Sequence, residues 1–233
     1  MSFDLAVWFE SERVSASRAA DTYERLADGD FVGAGVVASE AVPAFRRELT
    51  GRFPELSATE ADGPRPTGSP WTARLDVSAA HVIMPMSWDR ADAVAPEVVA
   101  LAGRHGLVCF DPQAEVLHLP PALRGADGLS LQPCVGLKVE DVDLDVIERA
   151  VHRLSEENWF LILEKRSGHF LQVGHGPNAG LTTGGFAVEH RDGAMERHYR
   201  CVLNERDQVA TLFADYASGA SAWSVDTRWD SLF

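Results

Sequence analysis

The chain has 233 residues, of which 45% are apolar and 24% charged, and it carries a formal net charge of −14. That length suits one large domain or two ordinary ones, with enough apolar residue to bury a real core. The acidic balance argues against nucleic acid, because a phosphate-binding face needs cations. No apolar run approaches the roughly 18 residues that a membrane span requires.

The charge is spread along the chain. Up to Pro120 there are 10 basic against 18 acidic residues, and beyond it 11 against 17, so no basic module hides in an acidic whole. Such a surface serves solubility, and it also steers the protein toward a basic partner. The three cysteines, Cys109, Cys134 and Cys201, are odd in number, widely spaced and set in apolar runs. They read as buried free thiols of a reducing compartment. The opening MSFDLAVWFE has no basic segment and carries Asp4 and Glu10, so it is no signal peptide and the expected location is the cytoplasm.

In chain order, residues 3–9 alternate as a strand with Val7 and Trp8 on opposite faces. Ser15 and Ser17 are placed to cap a helix that aligns Ala19, Tyr23 and Leu26. A second helix follows Ser39, with Val42, Phe45, Leu49 and Phe53 a turn apart and Pro43 tolerated in its first turn. Residues 51–70, rich in Gly and Pro, read as a surface loop. Strands are predicted at 71–77 and 81–88, the second on an edge or at a bulge because Pro85 lacks an N–H. Residues 89–105 are helical, with Val94, Val98 and Leu101 forming a stripe and a regular part expected to begin late because of Pro96, and Gly106 ends the helix. A strand at 107–110 completes the order β-α-α-ββ-α-β, close to a ferredoxin-like α+β sandwich with one extra helix.

The stretch PPALRGADG, 120–128, reads as the boundary between a unit 1–120 and a unit 129–233. In the second, residues 131–139 form a strand, and 143–157 a helix aligning Leu144, Ile147, Val151 and Leu154. Four strands follow at 159–164, 169–174, 185–190 and 197–203. Asn204 is placed to cap a helix burying Val209, Leu212, Phe213 and Tyr216, which Gly219 ends. Residues 223–229 read as a last strand, with Trp223 and Trp229 on one face. The fold class is therefore α+β, with the second unit a mainly antiparallel sheet packed by two helices.

The centre of the four-strand run, GGFAVEHRDG (184–193), crowds glycines, a glutamate, a histidine and an aspartate. Read as a hairpin, it turns Phe186 and Val188 to the core, sends Glu189 to the opposite face and turns at Asp192–Gly193. Across it, His190 and His198 are close enough for a metal bridge, but no HxxxH, CxxC or HxE with a downstream PCxxC accompanies them. The loop GHGPNAGLTTGG lacks the lysine and the following helix of a phosphate loop, and reads as a connection. No nucleophile motif is present. Glu164, Glu189 and Asp192 are carboxylates on neighbouring strands, and solvated strand ends are their ordinary reading.

The pattern GGFAVEHRDG, then ERHYRCVL, a helix and WSVDTRW resembles the immunity proteins of bacterial polymorphic toxin systems, in the family found beside deaminase-type toxins. Glu189 and Trp229 match its glutamate-bearing strand and C-terminal tryptophan. The resemblance covers residues 158–232. The first unit resembles an uncharacterised domain common in actinobacterial proteins, which implies no activity. What the resemblance implies is a non-enzymatic inhibitor that occludes a basic toxin, without catalytic residues, cofactor or metal, and with specificity in loops such as 177–183. Its expected partner-binding residues are Glu189, His190, Asp192, Trp223 and Trp229. Two other classes stay open. One is a small-molecule enzyme with a deep pocket lined by Glu189, His190 and His198. The other is a regulatory protein that pairs through an exposed edge at 81–88.

Overall fold

A computed structural model of the chain describes residues 2–56, 68–126, 128–182, 184–225 and 227–233. Residues 57–67 of the predicted surface loop, Asp127 of the predicted boundary, Thr183 of the predicted specificity loop and Asp226 of the predicted last strand lie outside the described residues. The chain divides into two compact units, Met1–Arg124 and Gly125–Phe233. Each has its own antiparallel sheet and helices, an α+β architecture.

The first unit runs β1 (Phe3–Trp8), α1 (Ala16–Ala27), α2 (Phe31–Ala34), α3 (Ala41–Arg52), β2 (Asp76–Val77), β3 (His81–Met86), α4 (Trp88–Arg104), β4 (Val108–Asp111) and β5 (Val116–His118). Its strand order is β2-β3-β1-β4-β5. Helical crossovers join β1 to β2 and β3 to β4, which gives the ferredoxin-like order, with β5 added beyond β4. Leu5, Ala6, Val7 and Trp8 are consecutive and all fully buried, so both faces of the central strand are covered. Tyr23 of α1 packs on Phe110, 5.8 Å between centroids, in the row of Ala6. Trp88 of α4 meets Phe3 at 5.2 Å on the other face.

Three local expectations are corrected. The helix through Pro96 is regular from Trp88 onward; burying Ala91, Val94, Ala95 and Val98 outweighs one lost donor. Strand 71–77 shrinks to Asp76–Val77 and a bridge from Trp71 to Met86. The outer edge of β3 is consequently paired, since Thr72 N–H donates to the Pro85 carbonyl at 2.9 Å and Ser87 N–H to that of Pro70 at 3.0 Å. In an antiparallel strand the N and the carbonyl of one residue face the same neighbour. Pro85 therefore turns its missing donor away from β1, and edge pairing through 81–88 has no free edge to use.

The second unit runs β6 (Ser130–Pro133), β7 (Val139–Glu140), α5 (Leu144–His152), β8 (Phe160–Arg166), β9 (His169–His175), β10 (Phe186–Asp192), β11 (His198–Leu203), α6 (Arg206–Ser218), α7 (Ala222–Val225) and β12 (Asp230–Ser231). The order is β12-β11-β10-β9-β8-β6-β7. One face carries the rows Leu131–Leu163–Leu171–His190–Tyr199 and Leu161–Val173–Val188–Cys201. Against strands β9 to β11 α6 packs, burying Val209, Leu212, Phe213 and Tyr216. Helix α5 packs on α6, and Arg206 ties them by donating to the carbonyls of Val151, His152 and Leu154 at 2.8, 3.0 and 2.9 Å.

Here too the boundaries shift. The single strand expected at 131–139 is the hairpin β6–β7, broken at Pro133 and at Gly136, whose φ of 111° suits glycine alone. Leu144 is exposed, and Val146 takes its place in the buried stripe. Helix α6 begins after Glu205 and not after Asn204, while Gly219 ends it as expected at φ 78°. Residues 223–225 of the expected last strand lie in α7 instead, and a two-residue strand follows only at Asp230–Ser231. Cys109 and Cys201 are buried and free; Cys134 is free but half-buried.

Two outcomes follow from this packing. Phe213 is fully buried, so Phe213→Ala should cost about 3–5 kcal/mol in urea unfolding of the second unit. In the first unit His118 is buried and its Nε2 has no partner; burial, aided by Arg124, lowers its pKa from 6.5 to about 4. Because the folded value is the lower one, the unfolded chain takes up the proton first. The contribution to stability is whole above the ordinary imidazole value and is lost as pH falls toward about 4. The melting temperature of His118→Leu relative to the parent should therefore rise between pH 7 and pH 4 in calorimetry.

Candidate binding cleft

Strand alternation separates the residues of β10. Phe186, Val188 and His190 turn toward α6, and Ala187, Glu189 and Arg191 toward the opposite face. On that second face, register aligns Gln132, Ile162, Gln172, Glu189, Arg200 and Asp230 across six strands. Neighbours in such a row sit close enough to bond. The Gln172 amide donates to Glu189 Oε2 at 2.7 Å, and Arg200 reaches Oε1 at 3.4 Å. His198 Nε2 lies 3.2 Å from Oε2 without the alignment of a hydrogen bond.

Above this row lies a cleft of about 270 Å³. It is lined by Trp159, Phe160, Ile162, Gly174, Ala179 and Ala187, with Gln172 and Glu189 as its polar residues. Trp159 and Phe160 meet edge to face at 5.1 Å. One side is closed by a 3-10 turn, Gly176–Ala179, which settles onto the sheet because residue 174 has no side chain. A Cβ there would come within 2.7 Å of that of Ala179. Three bonds hold the turn down. Arg200 donates to the Ala179 carbonyl at 2.9 Å, Asn178 Nδ2 to the Glu156 carbonyl at 3.1 Å, and His175 Nδ1–H to the Gly185 carbonyl at 3.0 Å. Arg200 thus touches both the floor and the lid of one wall.

The five residues expected to bind a partner do not form one surface. Glu189 stands in the cleft. His190 lies on the opposite side of the same strand, stacked on Tyr199 at 5.1 Å and met edge-on by Trp223 at 4.8 Å and Trp229 at 5.2 Å. Trp223 also contacts Tyr216 and borders a depression of about 370 Å³ beside α6. Trp229 Nε1 is buried and has no hydrogen-bond partner among the described residues. The two tryptophans do lie together, 6.1 Å apart, but as a plug against the helix side and not across an extended strand. Burial holds His190 below the ordinary imidazole value, against the upward pull of Asp192. Asp192 ends β10, exposed, between His169 at 3.0 Å and Arg197 at 3.4 Å.

His190 and His198 therefore face opposite ways, so the hairpin bridge between them is not formed. Among the described residues no group of three or more His, Cys, Asp and Glu is placed to hold a metal. The residues that sequence reading passed over are Trp159, Phe160, Ile162, Gln172, Ala179 and Arg200. Pairing the four predicted strands in register would have put Gln172 and Arg200 beside Glu189. Nothing local announces that the 176–179 turn folds onto the sheet. No family model, curated protein or solved structure matches the chain.

If Arg200 is what pins the turn, Arg200→Ala should speed amide hydrogen exchange at Leu181 and Gly180, whose N–H groups bond within the turn, while amides of β8 keep the parent's protection.

Proposed function

We propose that the protein is a non-enzymatic binding protein whose C-terminal unit receives part of a protein partner in the cleft on the face of its sheet opposite α6. The observation that carries this reading is the isolation of Glu189 in the cleft. It is the one titratable side chain among the residues described as lining it. Acid–base chemistry for the most part needs a second titratable group in the cavity beside the first. Here the other lining residues are aromatic and aliphatic, with the single amide of Gln172, which suit desolvation and shape recognition.

The reading as an immunity protein, in the cytoplasm and acting on a basic toxin, is the specific form implied by GGFAVEHRDG, ERHYRCVL and WSVDTRW. The acidic excess of the second half, 17 against 11, supports it, since opposite charge raises the rate of encounter. In this form the contact shifts from the expected set toward Trp159, Phe160 and Glu189, because His190, Trp223 and Trp229 hold the helix side together.

The test is co-expression with the product of the adjacent gene. Full-length protein should relieve that product's toxicity and co-purify with it. Trp159→Ala together with Glu189→Gln should weaken the complex at least about tenfold, roughly 1.4 kcal/mol, at an unchanged melting temperature. Undiminished protection by the double variant would remove the cleft from the interface; absence of any complex with the wild type would end the immunity reading.

A further inference from the structure

We infer that the cleft is a receptor for an arginine side chain of a basic protein partner, an assignment that rests on the binding reading above. Its shape asks for a ligand with an apolar stem and a hydrogen-bonding head. The apolar side chains are Trp159, Phe160 and Ile162, and beside Ile162 in the same cross-strand row stand Gln172 and Glu189. Gln172 spends an amide N–H on Glu189, which leaves its amide oxygen as an acceptor. Glu189 Oε1 has only the 3.4 Å contact from Arg200, well beyond the usual 2.7–2.9 Å of a charge-assisted bond. Arg200 itself is drawn away, since its shorter bond, 2.9 Å, goes to the Ala179 carbonyl. Gln172 and Glu189, on adjacent strands, thus present two unsaturated acceptors, one of them a carboxyl group, beside the aromatic and aliphatic residues of the cleft.

A guanidinium meets both demands. It is planar, donates in a fork that spans two acceptors, stacks on aromatic faces, and is less strongly hydrated than an ammonium. Lysine would deliver a compact, strongly hydrated point charge to a site that is partly apolar. The surroundings favour a cation from a macromolecule rather than an isolated small ion. Glu156 and Glu157, just before Trp159, are exposed, and the Glu156 carbonyl is the anchor of Asn178 in the closing turn. The half of the chain that builds the cleft carries 17 acidic against 11 basic residues. An arginine projecting from a basic surface would find its own charge complemented in the cleft and that of its neighbours complemented around the rim.

The experiment is a titration of the full chain, followed through the Trp159 indole N–H resonance, which Trp159→Phe assigns by its disappearance. Three probes are used: N-acetyl-arginine amide, N-acetyl-norleucine amide, and a short basic peptide with one central arginine. Both arginine probes should shift the Trp159 signal, and the norleucine probe should not. Glu189→Gln should weaken the arginine probes at least about tenfold, and Ile162→Trp, which fills the cleft, should abolish their effect while the Trp229 indole keeps its position. An unmoved Trp159 signal, or one moved equally by norleucine, overturns the assignment whether or not the adjacent-gene complex forms. Arginine binding that Glu189→Gln destroys while that complex keeps its full affinity would also overturn it, showing that the occupant is a free guanidinium compound.

Discussion

The second unit depends on the period of two in β10. Once Val188 lies between Val173 and Cys201 in the buried layer, Glu189 is committed to the other face and to the company of Gln172 and Arg200. A slip of one residue would drive the Glu189 side chain under α6 and expose Val188, burying a polar group away from Gln172 and Arg200 and losing core contacts at once. Register is thus enforced from both sides of the sheet. The polar ladder and the apolar rows are two consequences of one alternation.

The helix layer is held by a different kind of contact. Arg206 takes carbonyls at and just beyond the end of α5, where a helix leaves acceptors it cannot all satisfy by itself, and its guanidinium also lies over Phe186 at 5.3 Å. Lys165 sits over Tyr216 at 4.3 Å, where burial and the nearby Asp192 and Glu164 carboxylates raise the phenol's pKa well above its ordinary value. These cations bridge sheet and helices without entering the core. The aromatic group around His190 adds the C-terminal segment to the same layer, and a neutral imidazole is the form that such a nest favours.

Much of the fold was legible in the chain itself. The strands at 3–9, 159–164, 169–174, 185–190 and 197–203 and the helices burying Phe45, Val98, Ile147 and Phe213 are set by periodicity and survive tertiary context. What failed was local chemistry overridden by packing: Pro96 inside α4, Leu144 outside its stripe, and the tryptophans of 223–229, which look like alternating strand residues but fold into a short helix and a plug. For the site, the strand carrying Glu189 was visible, as was its orientation away from the core. Its partners were not, because they come from three other strands and from a turn whose position depends on the absence of an atom.

That absence lies at Gly174, where the trace of β9 is ordinary and no unusual backbone angle calls for glycine. The residue is needed for volume alone. It lets the 176–179 turn rest on the strand and so decides whether a groove or a plain sheet surface stands beside Glu189. The sheet therefore behaves as an invariant frame and the turn as an interchangeable insert. Changes of length or sequence in that insert would remodel the mouth of the cleft, and leave the hydrogen-bonded ladder beneath it untouched.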